Sequence, residues 1–358
     1  MAKHKVLVVD DSALMRRLLS AVLVADGFEV VTASNGEDGV ERLLQVQPDV
    51  VTLDINMPKM DGLTALSLMM AARPTPVVMV SSLTERGALA TLEALALGAV
   101  DYIEKPGGTI SLSIDEIAQE LCQKVRAAIA ARPRTTEPAS TSSCRTSART
   151  AAAARPTQRV SAAVPSTSMP LVIIGISTGG PRTLEDVLPH LPADFPAAVL
   201  IAQHMPANFT LSFAQRMDRI CPLPVQEVDR VVPLQAGHVY IAKGGADMLV
   251  QRKLGRLVAL SCEESAVHPW HPSVDRLVES AMQTVPASQI IGVQMTGMGN
   301  DGAQAMKQLY SAGGQTIAEC ESTAVVFGMP HELIQRGGAT VVLPAHSVAQ
   351  QLRAWMHS

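Results

Sequence analysis

A chain of 358 residues, 47% of them hydrophobic and 17% charged, is long enough for two or three ordinary domains and apolar enough to bury real cores. Its net charge of −4 gives no general pull towards nucleic acid or anionic lipid. The five cysteines are scattered and form no C-x-x-C pair, which argues against a disulfide framework or a zinc site and suits a reducing cytosol.

The start, Met1-Ala2-Lys3-His4-Lys5, meets two aspartates after only Val6–Val9. That is too short and too soon acidic for a signal peptide. No apolar run approaches the roughly 18 residues that a membrane span needs, so a cytoplasmic protein without direct membrane insertion is expected.

Residues 1–125 alternate short apolar runs with amphipathic stretches. Strands are expected at Val6–Val9, Val30–Thr32, Val50–Leu53, Val77–Val80 and Asp101–Ile103. Helices should follow from Ser12, Gly36, Leu63, Glu85 and Ile114, the first capped by Ser12. Such a succession implies an open parallel sheet wrapped on both faces, with ligands at the carboxyl ends of its strands.

Those ends carry Asp10 and Asp11, Asp54, Ser81 and Ser82, and Lys105. Converging carboxylates repel one another unless a cation joins them, and hard oxygen ligands in a partly open site suit Mg²⁺. Asp54 can then attack a phosphoryl donor. Lys105 would meet the new phosphate as a point charge, and the hydroxyl of Ser81 or Ser82 would hydrogen-bond it. Taken singly, each of these is an ordinary solvated loop residue; the set, distributed over successive strand ends, carries the inference.

Residues 132–168 change character. They are rich in Ser, Thr, Ala and Pro, and hold six arginines and one glutamate. Such a segment cannot bury enough surface to offset ordering, so a flexible linker is expected, spanning roughly 35 Å as a coil.

From Met169 the alternation resumes over residues 169–358. The run Leu171-Val172-Ile173-Ile174 reads as a buried strand and Pro181–Leu188 as the first turns of a helix. Between them, Gly175-Ile176-Ser177-Thr178-Gly179-Gly180 should be a tight strand-to-helix turn that lifts the Ser177 hydroxyl from the sheet. A plain Gly-rich turn or a phosphate loop fits this stretch alone as well.

Further strands are expected at Ala198–Ala202, ending in His204, and at Ile290–Met295, ending in Gly297–Gly302. Residues 211–217 read as a helix, and 225–260 as a hairpin or small insertion. Another helix follows Pro272-Ser273-Val274-Asp275, and Gln315–Ala318 and Ala339–Leu343 complete the strands.

Ser177, His204 and Asp301 therefore each follow an apolar strand. A hydroxyl needs a base to take its proton and an acid to orient that base, and one sheet edge could supply all three. The order Ser…His…Asp differs from the Ser…Asp…His of α/β-hydrolases, so the G-x-S-x-G match does not imply that fold. Gly297-x-Gly299-x-x-Gly302, with Glu319 and Glu321 downstream, also matches a dinucleotide fingerprint. A dehydrogenase reading leaves Ser177 and His204 idle.

Two resemblances can be named on these residues. Val8-Val9-Asp10-Asp11-Ser12, Leu53–Pro58, Asp61-Gly62 and Tyr102–Pro106 resemble the flavodoxin-like, doubly wound receiver domain of two-component response regulators. That resemblance implies Asp54 as phosphoacceptor, Asp10 and Asp11 holding Mg²⁺, and Lys105 on the phosphate. Gly175–Gly180, Gln203–Pro206, Pro272–Asp275 and Thr296–Gly302 closely resemble the chemotaxis protein-glutamate methylesterase (CheB) family, with Ile176 and Asn300 as minor departures.

The second resemblance implies Ser177 as nucleophile, His204 as general base and acid, Asp301 as orienting acid, and an oxyanion site near Thr178 and Met298. No cofactor is needed for hydrolysis. The expected activity is phosphorylation-controlled demethylation of chemoreceptor glutamates and deamidation of glutamines. Its partners would be methyl-accepting chemoreceptors and the chemotaxis histidine kinase. A regulator with a non-catalytic output and a hydrolase of small esters are the rival classes.

Overall fold

The structure, a computed structural model, describes residues 3–81, 85–105, 114–131 and 169–356. The expected linker at 132–168, and Ser82, lie outside the described residues.

The first unit runs β1 (Lys5–Val9), α1 (Ala13–Ala25), β2 (Glu29–Ala33), α2 (Gly36–Val46), β3 (Val50–Asp54), α3 (Gly62–Ala72), β4 (Val77–Ser81), α4 (Glu85–Ala96), β5 (Asp101–Glu104) and α5 (Ile114–Ala130). The strands pair in parallel in the order β2-β1-β3-β4-β5, the doubly wound arrangement expected from the sequence. β3 and β4 are buried at every position, as strands covered by helices on both faces must be. The side chains of Ser12, Asn35 and Asp61 cap α1, α2 and α3, each cap worth about 1 kcal/mol.

The second unit runs β6 (Leu171–Ile176), α6 (Gly180–Val187), β7 (Ala198–Gln203), α7 (Ala207–Ile220), β8 (Val225–Val228), β9 (Val232–Pro233), β10 (Val239–Ala242), β11 (Asp247–Lys253), β12 (Arg256–Cys262), α8 (Val274–Thr284), β13 (Ile290–Gln294), α9 (Ala303–Ser311), β14 (Gln315–Glu319), α10 (Met329–Gln335), β15 (Val341–Leu343) and α11 (Ala345–Met356). Its main sheet has the order β15-β14-β13-β6-β7-β10-β8, with every pairing parallel. From β6 the chain fills one side of the sheet, then returns through β13 to fill the other. β6 and β13 thus flank the switch point, where open α/β sheets leave a crevice.

The stretch 225–260 divides differently from the expectation of a single hairpin or insertion. β8 and β10 extend the parallel sheet, and only β9, β11 and β12 form a separate antiparallel sheet. The reason is burial: Val239–Ala242 is covered on both faces, while β11 ends in the exposed run Gln251-Arg252-Lys253. α7 begins at Ala207, directly behind Pro206, and not at Leu211, because Pro206 supplies an extended N-cap.

The two units share buried surface. Leu92, Leu95 and Tyr102 of the first fall in one apolar cluster with Leu184, Phe209 and Phe213 of the second. The rings of Tyr102 and Phe209 stack with centroids 4.6 Å apart. Among the described residues no helix is long and apolar enough to cross a membrane.

Candidate active site

Ser177 follows β6 in the expected strand-to-helix turn. Its backbone N–H donates to the Thr296 carbonyl at 2.9 Å, and its carbonyl accepts from Gly180 at 2.8 Å. Gly179 has φ +77, a left-handed conformation that favours glycine, and starts α6 with Pro181 in its first turn. Gly297 must be small for another reason: a Cβ there would sit 2.7 Å from the Cβ of Ser177.

His204 follows β7, the strand beside β6. Its Nε2 lies 2.8 Å from Oδ2 of Asp301, which sits behind β13. That bond leaves Nδ1 as the other ring nitrogen to exchange a proton. The Gln203 side-chain amide donates to the backbone carbonyls of both Ser177 and His204, each at 3.0 Å, and so ties the two turns together.

Asp301 is 1% exposed. Besides His204, its carboxylate accepts from the Val274 N–H at 2.7 Å, the Asp275 N–H at 3.0 Å and the Ser273 hydroxyl at 3.1 Å. It therefore rests on the N-terminus of α8, where free N–H groups and the helix dipole favour an anion. Burial pushes its carboxyl up, but the His204 bond and the helix N–H groups outweigh that and hold it below the usual carboxylate range.

Behind it lies a second buried acid, Asp247 on β11. Its carboxylate accepts from Arg276 at 2.6 Å, the Ser273 N–H at 2.8 Å, the Ser265 N–H at 3.1 Å and His271 Nδ1 at 3.1 Å. Burial raises this carboxyl and Arg276 leads the groups that pull it below its ordinary value. Asp247 and Arg276 were not singled out from the sequence, and Gln203 entered only within the Gln203–Pro206 segment. Nothing local marks Asp247, which reaches α8 from another sheet across 26 residues.

Ser177, Thr178, His204 and Met298 line one cavity of about 430 Å³. The first unit closes part of it, through Asp101, Tyr102, Glu120 and Lys124. The Thr178 hydroxyl donates to Asp101 Oδ2 at 2.7 Å, a buried bond between the two units. Lys124 holds the same carboxylate from the other side, 3.4 Å from Oδ1.

The dinucleotide fingerprint has another use here. A Cβ on Gly299 would meet Trp270 at 2.9 Å, and one on Gly302 would meet Val274 at 2.5 Å. These glycines are packed against protein at the cavity's edge, so they do not open a phosphate cradle.

In the first unit, ligand oxygens of Asp10, Asp11 and Asp54 lie within 4.8 Å of one another. Lys105 Nζ is 2.6 Å from Asp54 and 3.1 Å from Asp10. Burial raises the Asp54 carboxyl despite the pull of Lys105. Three hard oxygen donors this close, two of them buried and one exposed, fit Mg²⁺. Ser81 is buried at the end of β4, and its hydroxyl donates to the Gly87 carbonyl of α4 at 3.4 Å.

Comparison with known proteins agrees with this division. The CheB methylesterase family model matches residues 172–352, and the response regulator receiver model matches 6–114. A protein-glutamate methylesterase/protein-glutamine glutaminase of Rhodospirillum rubrum is 54% identical, covering 98% of this chain and 96% of its own. One from Rhodopseudomonas palustris is 49% identical, with 98% of both chains covered. The crystal structure of the Thermotoga maritima CheB methylesterase catalytic domain is 38% identical and superposes with a TM-score of 0.50, covering 52% of this chain and 97% of that one. A receiver unit followed by this sheet and its strand-end residues, matched end to end by such relatives, places the chain in the CheB methylesterase family.

Proposed function

We propose that the protein is a phosphorylation-activated serine hydrolase. It demethylates glutamate methyl esters, and deamidates glutamines, on methyl-accepting chemoreceptors during chemotactic adaptation. The observation that carries this reading is the 2.8 Å bond between His204 Nε2 and Asp301 at the switch point, in a cavity shared with Ser177.

In this reading His204 takes the Ser177 proton on its free ring nitrogen as Oγ attacks the ester carbonyl. The carbonyl electron pair moves to oxygen, which faces backbone N–H groups near Thr178 and Met298. Asp301 stays ionised and steadies the imidazolium. Methanol leaves, its oxygen taking the proton from His204 as the ester C–O bond breaks. Water, activated by the same imidazole, then cleaves the acyl-enzyme and restores Ser177. An amide loses ammonia by the same route. In this proposal the nucleophile, base and acid of the first step are all side chains of the protein, and water enters in the second.

Residues 1–125 act as the receiver, 132–168 as a tether and 169–358 as the hydrolase, in the cytoplasm and without nucleic acid. Asp10, Asp11 and Asp54 would hold Mg²⁺, which when bound offsets charge on an incoming phosphoryl group. The chemotaxis histidine kinase is the phosphodonor and Asp54 the acceptor. A phosphate on Asp54 draws Lys105 and the Ser81 hydroxyl towards it. Ser81 then releases Gly87, and α4 shifts where it packs on the hydrolase. The buried Asp101–Thr178 bond and the Tyr102–Phe209 stack support a resting receiver that covers the cavity.

The test is methanol release from methyl-labelled receptor, with and without phosphodonor. Wild type is expected to respond, Ser177→Ala to be inactive, and Asp54→Asn to keep basal activity without the response. Equal turnover of simple esters and receptor would favour a small-ester hydrolase instead.

A further inference from the structure

The mechanism leaves one large side chain of the cavity without a task. Trp270 lies half-buried in the loop between β12 and α8. Its ring is within 2° of parallel to the His204 imidazole, with centroids 6.0 Å apart. The turn after β13 presses on the indole, since a Cβ on Gly299 would fall 2.9 Å from Cζ2. The loop is pinned next door, where Asp247 holds His271 at 3.1 Å and the Ser273 N–H at 2.8 Å. The indole is therefore held against the Gly299 turn, in a loop pinned at the next residue.

One hydrogen bond at Nε2 sets where His204 sits but leaves its ring free to tilt about that bond. A flat, immobile neighbour removes this freedom. An aromatic face about 6 Å from a cation also attracts it. In the proposed mechanism the imidazole gains its charge with the Ser177 proton, so this attraction favours the transition state over the ground state.

We propose that Trp270 is a positioning residue for His204, holding the imidazole plane for proton transfer from Ser177 and stabilising the imidazolium that results. The proposal rests on the Ser177–His204–Asp301 reading. The proton moves from Ser177 Oγ to the free ring nitrogen as the O–C bond forms, and from there to methoxide as the ester C–O bond breaks. Charged and titratable groups facing this cavity are Asp101, Tyr102, Glu120, Lys124, Glu264 and His271, and Asp301 meets His204 from behind it. All are retained when Trp270 alone is exchanged.

The experiment measures kcat and KM for methanol release from a methyl-esterified receptor fragment across pH 5–9. It uses the full chain treated with acetyl phosphate, as wild type, Trp270→Leu, Trp270→Phe and Ser177→Ala. Trp270→Leu is expected to lower kcat about tenfold, leave KM little changed, and move the acid limb of the profile to lower pH by roughly half a unit. Trp270→Phe restores most of both. An acid limb that stays in place or moves up in Trp270→Leu overturns the proposal, as does Phe performing no better than Leu. Should Ser177→Ala still release methanol at the wild-type rate, the site reading fails and this proposal with it. An inactive Ser177→Ala beside unmoved Trp270 profiles removes only the role of Trp270.

Discussion

Asp301 has four donors around one carboxylate and almost no contact with water. Replacing it with asparagine keeps the shape but removes the charge that, in the proposed mechanism, fixes the tautomer of the neutral imidazole and steadies the imidazolium it becomes. A loss of about 10³- to 10⁴-fold in kcat is expected, as such an exchange costs in other triads, with steady-state methanol release as the readout. The same carboxylate carries a pH signature. Its folded value is depressed, so the stability it contributes is complete above the unfolded value of about 3.9 and is lost only as pH falls through the lower folded value. Thermal melts of wild type and Asp301→Asn should therefore differ by a constant amount near neutrality and converge only below about pH 4.

The N-terminus of α8 joins the hydrolase's two sheets to its chemistry. Ser273 caps that helix through the Arg276 N–H, donates to Asp301, and is itself held by Asp247. Ser273→Ala removes a cap and one donor to a buried charge, so a loss of about 1–2 kcal/mol is expected. That corresponds to a Tm fall of several degrees, with a kcat decline measured in the same preparation.

The sequence marks Ser273 as a helix start and as part of the Pro272–Asp275 resemblance, without its bond to Asp301. Strand ends were legible because a buried parallel strand is a short apolar run and the polar residue at its end lies at the crevice, as with Ser177, His204, Asp10 and Asp54. What stayed hidden was contact across elements. Asp247 follows the Gly244-Gly245 pair and opens a half-exposed strand, so its sequence context is that of a turn aspartate. The division of 225–260 was equally hidden, because β8 and β10 share their β-branched composition with the separate sheet. Whether such a strand joins one sheet or another depends on which face finds a partner.

The receiver and the hydrolase meet over a polar latch inside an apolar seam. Cutting the latch with Asp101→Ala frees the Thr178 hydroxyl and leaves Lys124 with Glu120 and the Tyr102 carbonyl. Methanol release without phosphodonor is expected to rise several-fold, since one buried charge-assisted hydrogen bond is worth about 1.5–3 kcal/mol and part of that returns through water. The phosphodonor response should shrink correspondingly, and unchanged basal release would show that the latch does not restrain the enzyme. Neither half of this seam was visible in the chain alone. Tyr102 and Phe209 are 107 positions apart, each with the local pattern of an ordinary core aromatic.

On the proposed function, that seam also makes the resting state sensitive to temperature. Leu92, Leu95 and Tyr102 meet Leu184, Phe209 and Phe213 mostly through carbon, and attraction of this kind weakens as water cools. Restraint by the receiver would then loosen in the cold, and basal methanol release would fall less steeply on cooling than phosphodonor-stimulated release.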